Sequence, residues 1–225
     1  IKYIFPLPRG ASEKGTDSPL EKLTTSQVED VKEEIVRKSG NPYHRIYIEK
    51  ANTIKISSIN SIRKFVNNAF DDIKYRAILI ENAHLMNTEA QNSLLKNLEE
   101  PPKGLIFILL TPNKEKLLPT ILSRCWHLNF DILSQDDITK ILINEFQITK
   151  ELAQKAARFC DGSVQSALNL IEHDFESIIE STISILRFSL AEWYNSALKE
   201  IDEIIDELPK VKLKILINFI LKWLN

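Results

Sequence analysis

The sequence predicts an α/β fold: part of a parallel-sheet core, followed by an all-helical remainder. Two short, almost wholly apolar runs, Ala77–Ile80 and Leu105–Leu110, flank a stretch of helical spacing. Strand–helix–strand with near-continuous apolar strands is the mark of a parallel sheet covered on both faces. After Phe130 the strand-like alternation stops, and only helical periodicity follows.

Taken in order, Ile1–Leu7 reads as a short strand or extended segment, and Arg9–Pro19, with Gly10, Gly15 and Pro19, as a loop. From Ser26, Val28, Val31, Ile35 and Val36 have helical spacing up to Gly40 and the Asn41-Pro42 turn. Ile46, Ile48, Ile54 and Ile56 alternate like strand pieces. Ser57 or Ser58 can cap a helix that carries Ile59, Ile62, Phe65, Val66 and Ala69 on one face. The strand Ala77–Ile80 leads to a helix from Thr88, which Pro101-Pro102 stops. The run Leu105–Leu110 ends at Thr111. A helix with Leu117, Leu118 and Ile121 follows, and Trp126, Leu128 and Phe130 alternate as a last strand. Beyond Asp131, Ser134 with Asp137 reads as a helix start. Leu190, Trp193, Ala197, Ile201, Ile204 and Leu208 are spaced for one apolar helix stripe, and Lys210–Leu224 is amphipathic.

Composition narrows the function classes. A chain of 225 residues can bury one good core, with room for a smaller helical module. A net charge of −2 gives no electrostatic argument for a dedicated nucleic-acid binder. No apolar run is long enough to span a membrane, and Pro6 and Pro8 interrupt the opening segment where a secretory signal would be apolar. Cys125 and Cys160 cannot build a disulfide framework or a four-thiolate zinc site, so a reduced, cytoplasmic protein is expected.

Gly10–Thr16, GASEKGT, has nearly the spacing of a phosphate-binding glycine loop. Such a loop needs Lys after its second Gly and a helix starting there. Here Thr16, Asp17, Ser18 and Pro19 follow, so a surface loop is expected. At the end of the strand Ala77–Ile80 stand Glu81 and Asn82, where a nucleotide hydrolase of this type shows Asp then Glu. Magnesium demands near-octahedral ligand geometry at about 2.1 Å, and Glu81 reaches further than Asp by about one bond. Asn82 cannot take a proton from water. Both also read as ordinary residues at a strand end. Cys125 and His127 lie two apart but lack further ligands nearby, His84 reads as a surface residue at a helix start, and the acids from Glu200 to Glu207 read as the wet face of a helix.

The run from Asn87 to Trp126 closely resembles bacterial clamp-loader subunits of the AAA+ class, which open the sliding clamp for the replicative DNA polymerase. Ala90–Pro102 (AQNSLLKNLEEPP), the strand ending in Thr111, and Ser123-Arg124-Cys125 carry the likeness, and Gly162–Ile171 (GSVQSALNLI) resembles the family's lid helix.

This resemblance implies a partial AAA+ core over residues 1–130, a helical lid over 131–175 and collar helices over 176–225. It implies that Arg124, within Ser123-Arg124-Cys125, is an arginine finger acting on a neighbouring subunit's nucleotide. Thr111 matches the sensor position, and Gln165 stands where active lids carry Arg. Read without the family, Arg124 is a solvated or salt-bridged surface arginine. The family's phosphate-binding loop, and in many members a zinc module, lie upstream of the matched region. The expectation is therefore a piece of a longer protein that holds no cofactor. Degenerate acids with an intact Ser-Arg-Cys point to the delta-prime type, the non-hydrolysing member, with an active gamma/tau-type ATPase as the alternative. The implied partners are gamma/tau and delta subunits and, through the assembly, the sliding clamp and primer–template DNA, with no membrane.

Overall fold

The computed structural model describes residues 1–67, 74–207 and 210–224. Ala69 and Leu208, which the helical spacing places on apolar stripes, lie outside the described residues. The chain parts into two compact units, Ile1–Asn129 and Phe130–Asn225.

The first unit is built on a parallel sheet of β1 (Lys2–Ile4), β2 (Arg76–Ile80) and β3 (Leu105–Leu109) in that order. Lys2 stands opposite Ile78, and Ile78 opposite Phe107. Helix α1 (Thr25–Gly40) starts at a full capping box: the Thr24 hydroxyl accepts from Gln27 N, and the Gln27 side chain accepts from Thr24 N. Helix α3 (Thr88–Glu99) is capped by Asn87, whose side chain accepts from Ala90 N at 2.9 Å. Between them lies α2 (Ile56–Asn67), whose Ile59 and Ile62 are fully buried with Ile54, Ile78, Ile80 and Leu94. Beyond the prolines, Gly104 turns the chain into β3 with φ +74°, where a Cβ would meet Lys74 O at 2.6 Å.

Several expectations are corrected here. Ser57 and Ser58 do not cap α2, which begins at Ile56; both are buried, and the Ser57 hydroxyl donates to Glu13. Ile54 makes only an isolated bridge to Met86, and Ile46–Ile48 forms no strand. Leu117 and Leu118 precede a single-turn helix, α4 (Pro119–Leu122), because Pro119 favours the first helical position. Residues 126–130 form no strand: the alternation is there, but no ladder partner is, and Trp126 is 98% exposed. Nor is β3 covered on both faces, since Ile106 and Ile108 are exposed.

The second unit is helical throughout: α5 (Gln135–Phe146), α6 (Lys150–Phe159), α7 (Val164–Glu172), α8 (Phe175–Leu190), α9 (Tyr194–Glu207) and α10 (Lys210–Leu224). Ser134 caps α5, accepting from Asp137 N at 3.1 Å and donating to the Asp137 carboxylate. The stripe from Leu190 to Ile204 is not one helix. Glu192 adopts φ 60°, and Trp193 N turns back to Phe188 O at 2.9 Å, so α8 ends and α9 begins without Gly or Pro. Among the described residues no helix is long and apolar enough to cross a membrane.

Candidate functional site

The C-terminal ends of β2 and β3 lie side by side in the parallel sheet, and Ile121 of the short helix α4 packs into the same core. Glu81 N donates to Ile4 O at 2.9 Å and Ala83 N to Leu110 O at 2.9 Å, which ties the turn after β2 to both neighbouring strands. Asn82 makes that turn in the left-handed region (φ 55°, ψ 45°), which Asn tolerates better than most side chains. Its identity therefore has a backbone reason that strand-end chemistry alone does not reveal.

The Glu81 side chain is 15% exposed, and its Oε2 is buried without a hydrogen-bond partner. The Lys38 ammonium is 3.9 Å from that oxygen but donates to Pro42 O (3.1 Å) and His44 O (2.7 Å) instead. Burial pushes the Glu81 carboxyl above the usual range. One carboxylate beside an ammonium, followed by an amide, does not fit the oxygen ligand set of a magnesium–nucleotide complex.

His84, expected at the surface, instead faces Thr111: its Nδ1 lies 3.3 Å from Thr111 Oγ1. Burial first, and then the charge of Lys116, pushes the His84 pKa down and favours the neutral ring. Thr111 Oγ1 also accepts from Asn113 N at 3.1 Å. The expected strand-end residues Glu81, Asn82 and Thr111 thus share one end of the sheet. Gln165, on α7, belongs to the second unit; its amide donates to Asn169 Oδ1 at 2.8 Å.

Sequence reasoning overlooked Gln91. It is buried on α3, where its amide donates to Met86 O (3.1 Å) and Lys116 O (3.2 Å) and its Oε1 accepts from Leu118 N at 2.7 Å. One side chain thereby joins the turn after β2, the turn after β3 and the start of α4. A polar residue on the apolar face of a helix was the available signal.

At the end of α4, the Ser123 hydroxyl donates to Thr120 O, and Arg124 N to Ile121 O at 3.0 Å. The Arg124 side chain is 36% exposed and salt-bridged, as the surface reading allows: Nη1 donates to Thr120 O and Nη2 to Glu99 Oε1, each at 3.0 Å. Cys125 packs against the core, and burial pushes its thiol up. The His127 ring meets Leu122 O at 3.0 Å, so Cys125 and His127 are held by separate contacts.

A sequence profile described as "DNA polymerase III, delta subunit" matches residues 21–134. Among curated proteins, DNA polymerase III subunit gamma of Buchnera aphidicola subsp. Schizaphis graminum is 34% identical over 133 residues, which is 57% of this chain and 37% of that protein. Subunit tau of Bacillus subtilis is 33% identical, covering 56% of this chain and 23% of its own length. Subunit tau of Escherichia coli is also 33% identical, with 59% and 21% covered. A solved DNA polymerase III gamma subunit-related protein of Thermotoga maritima aligns with a TM-score of 0.42 and 24% identity over 77% of this chain and 60% of that one. The chain thus spans well under half the length of these curated relatives.

Proposed function

The chain belongs to the DNA polymerase III clamp-loader family, and from that premise we propose that it serves as a non-hydrolysing, delta-prime-type subunit of the loader. In this reading Arg124 enters the nucleotide site of an adjacent ATPase subunit and meets the charge that develops on the transferred phosphoryl group. The adjoining subunits would be of gamma/tau and delta type. The assembly, in the cytoplasm, would act on the sliding clamp and primer–template DNA.

The observation that carries the proposal is a contrast within one unit. Arg124 is a half-exposed guanidinium at the tip of a short, well-anchored helix, whereas the strand end at Glu81–Asn82 offers neither a water-orienting base nor a ligand set for magnesium. Ser123 and Cys125 support the finger by different means: one closes the helix end, the other packs into the core. Thr111 and Gln165 would be remnants of sensing positions.

Gamma/tau-type activity is the second reading, favoured by the names of the curated relatives. The two readings separate in a reconstituted loader. Arg124→Ala should lower DNA-stimulated ATP turnover by about 10³-fold or more while the complex still assembles, because a finger supplied in trans contributes about 10³–10⁵ in rate. Arg124→Lys should rescue poorly, since a point charge replaces a planar fork. Wild-type turnover in the Ala variant would make Arg124 structural. Magnesium-dependent turnover by the full-length subunit alone would favour the gamma/tau reading.

A further inference from the structure

We infer that Glu99, at the end of α3, is a positioning residue for Arg124: it holds the guanidinium so that its remaining donors face an incoming phosphate oxygen. This rests on the reading of Arg124 as a finger acting in trans.

The Arg124 guanidinium is held at two points, Nη1 by Thr120 O and Nη2 by Glu99 Oε1, each at 3.0 Å. Only part of its donor set is used in this way, and the other N–H groups remain for an oxyanion. Both anchors sit on fixed backbone. Thr120 belongs to α4, whose start is gripped by Gln91 and whose Ile121 is fully buried. Glu99 closes α3, whose Leu94 is fully buried and whose Leu98 packs on the same core, and Pro101-Pro102 prevents the helix from continuing.

The ion pair itself is half-exposed, at 36% for Arg124 and 51% for Glu99, so it contributes little to stability. Its effect is on aim. A free arginine samples many rotamers, and each must be abandoned when the phosphate is met. Anchoring the fork beforehand removes that cost, and misplacement by about 1 Å can lower a rate by about 10²-fold. Glu99 acts as a hydrogen-bond acceptor of the right length at the right place.

The test uses the reconstituted loader with the full-length subunit carrying Glu99→Ala, Glu99→Gln, Arg124→Ala or both alanines. Glu99→Ala should lower ATPase kcat on the order of tenfold, with KM for ATP and the subunit's melting temperature unchanged. Glu99→Gln, the same length and still an acceptor, should restore most of kcat. The double variant should match Arg124→Ala alone, because the anchor has nothing left to hold. Glu99→Asp, one methylene shorter, replaces the alanine variant should that one fail to assemble, and its loss should fall between those of Gln and Ala. Normal kcat in the Glu99 variants alongside an impaired Arg124→Ala would overturn this inference and leave the finger reading standing. Additive losses in the double variant would overturn it as well, by placing Glu99's effect elsewhere. Normal turnover in Arg124→Ala would bring down both.

Discussion

Two acidic residues of the first unit, Glu13 and Glu81, occupy opposite situations. Glu13 lies in the glycine-bearing loop that resembles a phosphate cradle. Its Oε2 accepts from Lys55 Nζ (2.8 Å) and Gly10 N (3.0 Å), and its Oε1 accepts from Ser57 Oγ (2.7 Å). The Glu13 and Lys55 side chains are only 5% and 7% exposed. Burial pushes the Glu13 carboxyl up, but the bonds from Lys55, Ser57 and Gly10 and the Lys55 charge outweigh it, leaving Glu13 below its ordinary value. Glu81 lies at a strand end, where an ATPase keeps its acids. It is also pushed up by burial, yet Oε2 has no bond to offset the shift. The loop carboxylate is a strut with every contact satisfied, and the strand-end carboxylate keeps an oxygen without a hydrogen bond.

The largest effect that could break this comparison is expected at Glu13. Glu13→Ala leaves the Lys55 ammonium buried with no counter-charge and only Pro19 O (2.8 Å) to accept from it, which should cost about 3–5 kcal/mol in urea unfolding at neutral pH. Because the folded-state pKa of Glu13 is lowered, its contribution is present above the unfolded value and disappears as pH falls through the folded value. Wild type and variant should therefore converge under acidic conditions. A gap that stays constant with pH would mean that the carboxylate charge is not what matters.

Next in size is Gln91→Ala, which strands Leu118 N and two carbonyls and should cost about 1–3 kcal/mol. It should also lower loader ATPase by loosening α4. Unchanged stability would mean that water replaces the side chain.

Asn82→Glu places a larger side chain in the left-handed region and should cost about 1 kcal/mol, measurable as a lower melting temperature, without creating ATP turnover. Asn82→Gly should be neutral or slightly stabilising. Were the Glu variant as stable as wild type, the backbone account of Asn82 would fail.

The smallest effect sharpens the contrast by its sign. The Glu81 pKa is raised, so the folded state is favoured below the unfolded value and loses stability as pH rises through the folded value. Glu81→Gln, which cannot ionise, should melt slightly higher than wild type at neutral pH and lose that advantage on acidification. A lower melting temperature at neutral pH would show that Lys38, at 3.9 Å, is a true partner.

Much of the sheet was readable residue by residue. Apolar runs marked β2 and β3, while the start at Thr88 and the stop at Pro101-Pro102 bracketed α3 within a residue. Capping and proline geometry act locally, so a few neighbours suffice. The break between α8 and α9 was not readable, because no Gly or Pro announces it and Glu192 simply accepts a left-handed conformation. The segment from Trp126 to Phe130 misled for a different reason. Alternation shows that a strand could have two faces, but a strand exists only where another backbone completes its ladder.

The candidate site divides along the same line. Which chemical groups are present was settled by the chain itself: an amide at Asn82, an arginine between Ser123 and Cys125, and a second amide at Gln165. Who meets whom was settled only by packing. Lys55 found Glu13 across 42 residues, His84 found Thr111 across 27, and Glu99 found Arg124 across 25. Hydrogen bonds and ion pairs act over a few ångströms of space. Periodicity, capping and turn chemistry act over a few residues of chain. Between those two scales only the folded backbone decides which side chains become neighbours.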